Sequence, residues 1–85
     1  MAYKIEFSSS AMKQFNKLPK EVQRKIVNVI DPLSEEPRPS GVVKLSGETI
    51  LYRIRVGNYR VIYHIKDDRL EVLILKIGHR RDIYK

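Results

Sequence analysis

Three segments in the second half of the chain constrain its fold more than anything else in it. Thr49 to Val56, Tyr59 to Lys66 and Arg69 to Ile77 are rich in β-branched and aromatic residues, and only two residues separate each from the next. Two-residue junctions leave no room for a crossover, so the segments predict an antiparallel meander. Gly57-Asn58 is the stronger hairpin signal, with Gly first as a type II′ turn requires, and Asp67-Asp68 is the weaker.

A two-residue turn also sets the register. Gly57-Asn58 pairs Val56 with Tyr59, Arg55 with Arg60, Ile54 with Val61 and Arg53 with Ile62. Side chains alternate along a strand, so Tyr52, Ile54, Val56, Val61, Tyr63, Ile65, Leu70, Val72 and Ile74 form one apolar face. Expected on the other face are Arg53, Arg55, Arg60, Ile62, His64, Leu73, Leu75, Ile77 and, at the far end, His79. The Asp67-Asp68 turn sets His64 opposite Glu71 in this reading.

The first half supplies the cover for the apolar face. Tyr3, Ile5 and Phe7 alternate with Lys4 and Glu6, as in a short strand, and Ser8, Ser9 and Ser10 offer helix N-caps. Ala11, Phe15 and Leu18 share one helical face. A second helix begins at Pro19 and carries an apolar stripe of Val22, Ile26, Val29, Ile30 and Leu33, with Asp31-Pro32 ending it. A loop-rich passage follows to Gly47, holding a possible short strand at Val42 to Leu45. The expected architecture is α+β: two N-terminal helices packed on one face of a small, mainly antiparallel four- to five-stranded sheet, in the order β-α-α-β-β-β. Residues 1–85 read as one domain, without repeats.

Charge narrows the function. Seventeen Lys and Arg against ten Asp and Glu give a net +7, which favours an anionic partner, nucleic acid above all or an acidic protein. Residues 1 to 40 hold seven basic and five acidic residues, residues 41 to 85 ten and five, so the anion belongs with the second half. With no Cys and only two His, neither a metal nor any other cofactor is expected. No apolar run approaches the ~20 residues of a membrane span and no signal-peptide stretch opens the chain, so the expectation is a cytoplasmic protein with no membrane partner.

The register places Arg55 directly opposite Arg60. Like charges facing one another across a ladder destabilise it by a few tenths to about 1 kcal/mol, which a bound polyanion would offset. Beside them lies an aliphatic strip of Ile62, Leu73, Leu75 and Ile77 that no helix of this chain is left to cover. An interaction surface fits this make-up. So does a partly solvated face shielded by the C-terminal segment, with arginines lying over the apolar residues.

Leu51-Tyr-Arg-Ile-Arg-Val-Gly-Asn-Tyr-Arg-Val-Ile-Tyr63, together with a closing Ile77-Gly-His-Arg-Arg-Asp-Ile-Tyr84, resembles the RelE/ParE superfamily of bacterial and archaeal toxins. The resemblance runs over nearly the whole chain, including Ile5-Glu-Phe, the helix pair and Lys44-Leu-Ser-Gly47. It implies the toxin of a type II toxin–antitoxin pair, in which RelE-like members cut mRNA in the ribosomal A site by 2′-hydroxyl attack without metal. ParE-like members instead inhibit DNA gyrase. A degenerate relative acting only as a co-repressor with its antitoxin is a third reading.

Carried over position by position, the resemblance makes Arg60 the arginine at the scissile phosphate, Arg80 the one near the leaving oxygen, and Tyr84 the tyrosine that stacks on a base. Arg53 and Arg55 stand where the best-known members have lysines that help activate the 2′-hydroxyl. Arginine stays protonated, so it stabilises charge but is a poor base. His79 is the first candidate for that role, since some relatives use a histidine in this tail, and His64 is the second. Arg53, Arg55, Arg81 and Lys44 are the expected contacts to mRNA and ribosomal RNA. Ile62, Leu73, Leu75 and Ile77 are the expected seat of a RelB-like antitoxin with an acidic contact segment.

Overall fold

Gly57, at φ +60°, turns the chain between strands β3 (Leu51–Val56) and β4 (Tyr59–Lys66) in the expected register, with Arg55 opposite Arg60 and Arg53 opposite Ile62. The computed structural model describes residues 2–45 and 50–83. Within them the order is β1 (Lys4–Phe7), α1 (Ser9–Asn16), α2 (Lys20–Ile30), a 3₁₀ turn (Asp31–Ser34), β2 (Val43–Leu45), β3, β4 and β5 (Glu71–His79). The sheet has five strands in the order β1-β5-β4-β3-β2. It is mostly antiparallel; β1 alone runs parallel to its neighbour, β5.

Local chemistry sets the helix ends. Ser8 caps α1 by accepting the Ala11 N–H on Oγ at 3.0 Å. Pro19 occupies the N-cap position of α2 without a side-chain hydrogen bond, and the helix ends at Ile30. Asp31, expected to leave helical geometry before Pro32, nevertheless keeps it at φ −51° and ψ −46° and still donates its N–H to Val27 O. A 3₁₀ turn then carries on, because proline is tolerated in a first turn, where its missing N–H has no partner to lose.

Ala11 of α1, Ile26 and Ile30 of α2 and Leu33 of the 3₁₀ turn pack with Val56, Val61, Tyr63, Ile65, Val72 and Ile74. Each buried aliphatic side chain of this kind contributes roughly 1.5–3 kcal/mol.

Two departures from the expected register change the site. Asp67-Asp68 lacks the glycine or asparagine that a tight hairpin needs, and the chain makes a longer turn through Asp67, Asp68, Arg69 and Leu70. Leu70 takes the left-handed conformation at φ 52°, and its carbonyl accepts the Lys4 N–H of β1 at 2.7 Å. Lys66 therefore pairs with Glu71, and His64 with Leu73 instead of Glu71. The turn is longer by an even number of residues, so the faces of β5 are unchanged as far as Ile74.

A β-bulge then reverses them. Tyr63 pairs with Ile74 but Ile62 pairs with Lys76, leaving Leu75 as the extra residue. Beyond it Ile77 pairs with Val61 and His79 with Tyr59, so both lie on the helix side of the sheet. Ile77 is 2% exposed, a core residue and not part of the outer strip. The bulge forms where β1 ends: the Ser8 N–H donates to Ile74 O at 2.8 Å and Ser8 Oγ to Leu75 O at 3.2 Å. Farther on, Gln14 Oε1 of α1 accepts the Ile77 N–H at 2.8 Å, taking the place of a strand partner.

Candidate nucleic-acid interface

The outer sheet face carries Arg53 and Arg55 on β3 and Arg60 and Ile62 on β4 in adjacent rows. Arg60 is half-buried and folds back over its own hairpin, Nη1 donating to Gly57 O at 3.0 Å and Tyr59 O at 2.9 Å. Two carbonyl dipoles under the guanidinium hold it in place and lower the like-charge cost of the exposed Arg55 opposite.

The C-terminal segment is tied to the same corner. The Arg80 N–H donates to Asn58 O in the β3–β4 turn at 2.8 Å, and the N–H groups of Asp82 and Ile83 donate to His79 O at 2.8 and 3.0 Å. The resulting single turn presents Arg80 and Arg81 as exposed cations next to Arg60. Ile83, 2% exposed, anchors it: its Cδ1 comes within 3.5 Å of where Gly78, the register partner of Arg60, would carry a Cβ.

His79 has a different placement from the expected one. The bulge puts it on the helix side, edge-to-face with Tyr59 at 5.5 Å, and its Nδ1 accepts the Arg81 N–H at 3.2 Å. A neutral ring accepting there carries its proton on Nε2 and has no second lone pair for a base. His64 does lie on the arginine face, with Nδ1 bonded to Ile50 O at 2.9 Å. It stands four residues from Arg60 along β4, about 13 Å at the usual strand rise.

Lys44 pairs with Tyr52, which packs against the core, so it falls on the other side of the sheet from Arg53 and Arg55. Tyr84 lies outside the described residues. Of the expected aliphatic strip, Ile62, Leu73 and Leu75 remain on or at the outer face. Ile62 is only 8% exposed yet stands apart from the main core cluster.

Sequence reasoning missed the polar clamp at the other end of the sheet. Arg38 donates through Nη1 and Nη2 to the Asp67 carboxylate at 3.2 and 2.7 Å and through Nε to Tyr52 Oη at 3.1 Å, while Tyr3 Oη donates to Asp67 Oδ1 at 2.7 Å. The Arg38 guanidinium, with help from Tyr3, holds the Asp67 carboxyl below its ordinary range. Behind it Tyr63 stacks on Tyr52 and donates from Oη to Pro37 O at 2.8 Å, and burial pushes its phenol up to about 12. The clamp pins the segment before β2 to the β4–β5 turn. Only the Pro-Arg-Pro spacing hinted that Arg38 was held in place.

Residues 5–84 match the family model described as the ParE toxin of the type II toxin–antitoxin system parDE. The chain belongs to the RelE/ParE superfamily of type II toxins. It is 33% identical to toxin RelG of Mycobacterium tuberculosis, over 100% of this chain and 99% of that protein. It is 29% identical to the mRNA interferase toxin RelE of Escherichia coli K12, over 94% of this chain and 85% of that protein. A chain of the archaeal RelE–RelB complex from Pyrococcus horikoshii superposes with a TM-score of 0.83 at 34% identity, covering 96% of this chain and 99% of that one. The two helices on a mostly antiparallel five-stranded sheet are thus the fold of RelE structures.

Proposed function

We propose that this toxin is a ribosome-dependent mRNA endonuclease that acts in the cytoplasm without a metal ion. One observation carries the reading: Arg60, Arg55 and the tail bearing Arg80 converge on the Gly57-Asn58 hairpin. Arg60 holds the scissile phosphate. The 2′-hydroxyl of the preceding nucleotide gives its proton to solvent and attacks phosphorus while the bond to the 5′-oxygen of the next nucleotide breaks; that oxygen takes a proton from solvent, leaving a 2′,3′-cyclic phosphate and a 5′-hydroxyl.

Arg53 and Arg55 stabilise the charge that builds on the pentacoordinate phosphate, and Arg80 stabilises the leaving oxygen. A well-placed donor of this kind contributes about 3 kcal/mol. Tyr84 stacks on a base, and Arg81 adds a contact to RNA. His79 holds the tail instead of taking a proton, so the rate comes from in-line positioning and fixed charge. That fits arginines where a base would otherwise stand.

The partner that silences it is an antitoxin whose acidic segment covers the Ile62, Leu73 and Leu75 rows. The family model that matches is ParE, and this supports a second reading, a gyrase inhibitor without catalysis. Expressing the toxin, mapping mRNA 5′ ends and measuring DNA supercoiling in the same cells separates the two. Codon-phased cuts lost in Arg60→Ala and Arg80→Ala are the expected result; intact mRNA with gyrase-dependent DNA breaks would sink the nuclease.

A further inference from the structure

Strand β2 pairs with β3 only from Leu45–Leu51 to Val43–Arg53. Just before it, Gly41 at φ 90° and the bond from the Val42 N–H to Pro39 O at 3.2 Å turn the chain away. Among the described residues no strand lies beside β3 past Arg53, and the sheet edge opens there into a cleft of about 510 Å³. Val29 of α2, Val43 and Ile54 give it apolar walls, Arg53 and Arg55 supply two cations, and Ser40 stands at its rim with an exposed hydroxyl. Among the described residues that line it there is no carboxylate.

We propose that this cleft is a nucleotide subsite, which takes the base next to the cleaved bond and so sets sequence preference. The inference rests on the nuclease reading. Its volume is within the range of small-ligand sites, and its make-up suits a flat base whose face packs on valine and isoleucine while its edge meets a guanidinium and a hydroxyl. Position supplies the rest. Arg55 lines the cleft and is also the direct cross-strand partner of Arg60, with Cβ atoms about 5 Å apart in such a pair. An RNA strand whose phosphate sits at Arg60 and Arg80 has its neighbouring nucleotide beside Arg55, at the mouth of the cleft. An acidic peptide would use the two arginines but has no flat ring to set against Val29, Val43 and Ile54.

Two substitutions at exposed positions probe it without touching the Arg60–Arg80 corner: Ser40→Trp fills the mouth, and Val43→Glu sets a carboxylate against the phosphate backbone. The measurement is single-turnover cleavage of ribosome-programmed mRNA carrying each of the four bases on either side of the cut. Each variant should lower cleavage at limiting toxin by about tenfold or more and flatten the base preference, as loss of a pocket contact does. Arg60→Ala should lower all substrates alike and keep the preference.

Rates within about twofold and an unchanged preference in both variants would overturn the subsite while leaving the nuclease standing. Intact RNA cleavage with weakened antitoxin neutralisation would also overturn it, assigning the cleft to a protein. If the wild-type toxin cuts no RNA, the nuclease reading falls, and crosslinking of a 2′-O-methyl oligonucleotide containing 4-thiouridine to the wild-type chain decides the cleft: adducts at residues 40–43 that Ser40→Trp abolishes support it, and their absence overturns it.

Discussion

Arg55 and Arg60 face each other directly across the β3–β4 ladder, one pair back from the hairpin turn. Two guanidiniums in that position cost stability that a neutral pair would not. Arg55→Thr should therefore raise the unfolding free energy by a few tenths to about 1 kcal/mol in denaturant titrations. The same change should slow mRNA cleavage by about 100-fold. Opposite signs in the two assays are the mark of a residue kept for chemistry; a loss of stability in Arg55→Thr would remove that interpretation.

Leu75, as the bulged residue, makes Ile77 and Leu73 play different parts. Ile77→Ala should cost about 2–5 kcal/mol, because it empties a fully packed core position. Leu73→Ala should unfold nearly as the wild type does, yet weaken antitoxin binding by tenfold or more, which isothermal titration will read. Equal destabilisation by both would put them in one core.

The histidine beside the tail arginines holds their backbone through an acceptor at Nδ1. Asparagine places an oxygen near the same point and phenylalanine does not. His79→Asn should keep cleavage within a few-fold of wild type, while His79→Phe should lower it by about tenfold with the same midpoint of unfolding. A pH–rate profile that loses its near-neutral limb in His79→Asn would instead make this ring a general base.

Two titrations bracket the fold. Asp67 is depressed by Arg38, so its contribution to stability is complete at neutral pH and disappears as pH falls through its lowered folded value. Tyr63 is raised to about 12, so its contribution is complete below the ordinary phenol value and is lost as pH rises towards about 12. Asp67→Asn should flatten the acid limb of a stability–pH curve and Tyr63→Phe the alkaline limb. Tyr63→Phe should also cost about 1 kcal/mol at neutral pH for its lost bond to Pro37 O.

Most of the sheet was legible, because Gly57-Asn58 dictates one register and an alternating pattern has only two faces to choose between. Every pair from Arg53–Ile62 to Val56–Tyr59 follows from it. The Asp67 turn was not legible: its length depends on Leu70 accepting a left-handed φ and on Lys4 bonding its carbonyl, a contact 66 residues apart. Nor was the bulge, which answers to Ser8 and Gln14 at the far end of the chain. Alternation read straight through Leu75 therefore carried Ile77 and His79 to the wrong face. The register of Arg53, Arg55 and Arg60 came out as expected because β3 and β4 lie upstream of both irregularities, while the cleft at β3 depends on where β2 stops.

The most direct test of the whole account is the chemistry of the ends left on a ribosome-bound mRNA after incubation with the purified toxin. A 2′,3′-cyclic phosphate and a 5′-hydroxyl, formed in the presence of a chelator and lost in Arg60→Ala, are the predicted result. Uncut mRNA, or cuts bearing 3′-hydroxyl ends and requiring a divalent ion, would contradict it.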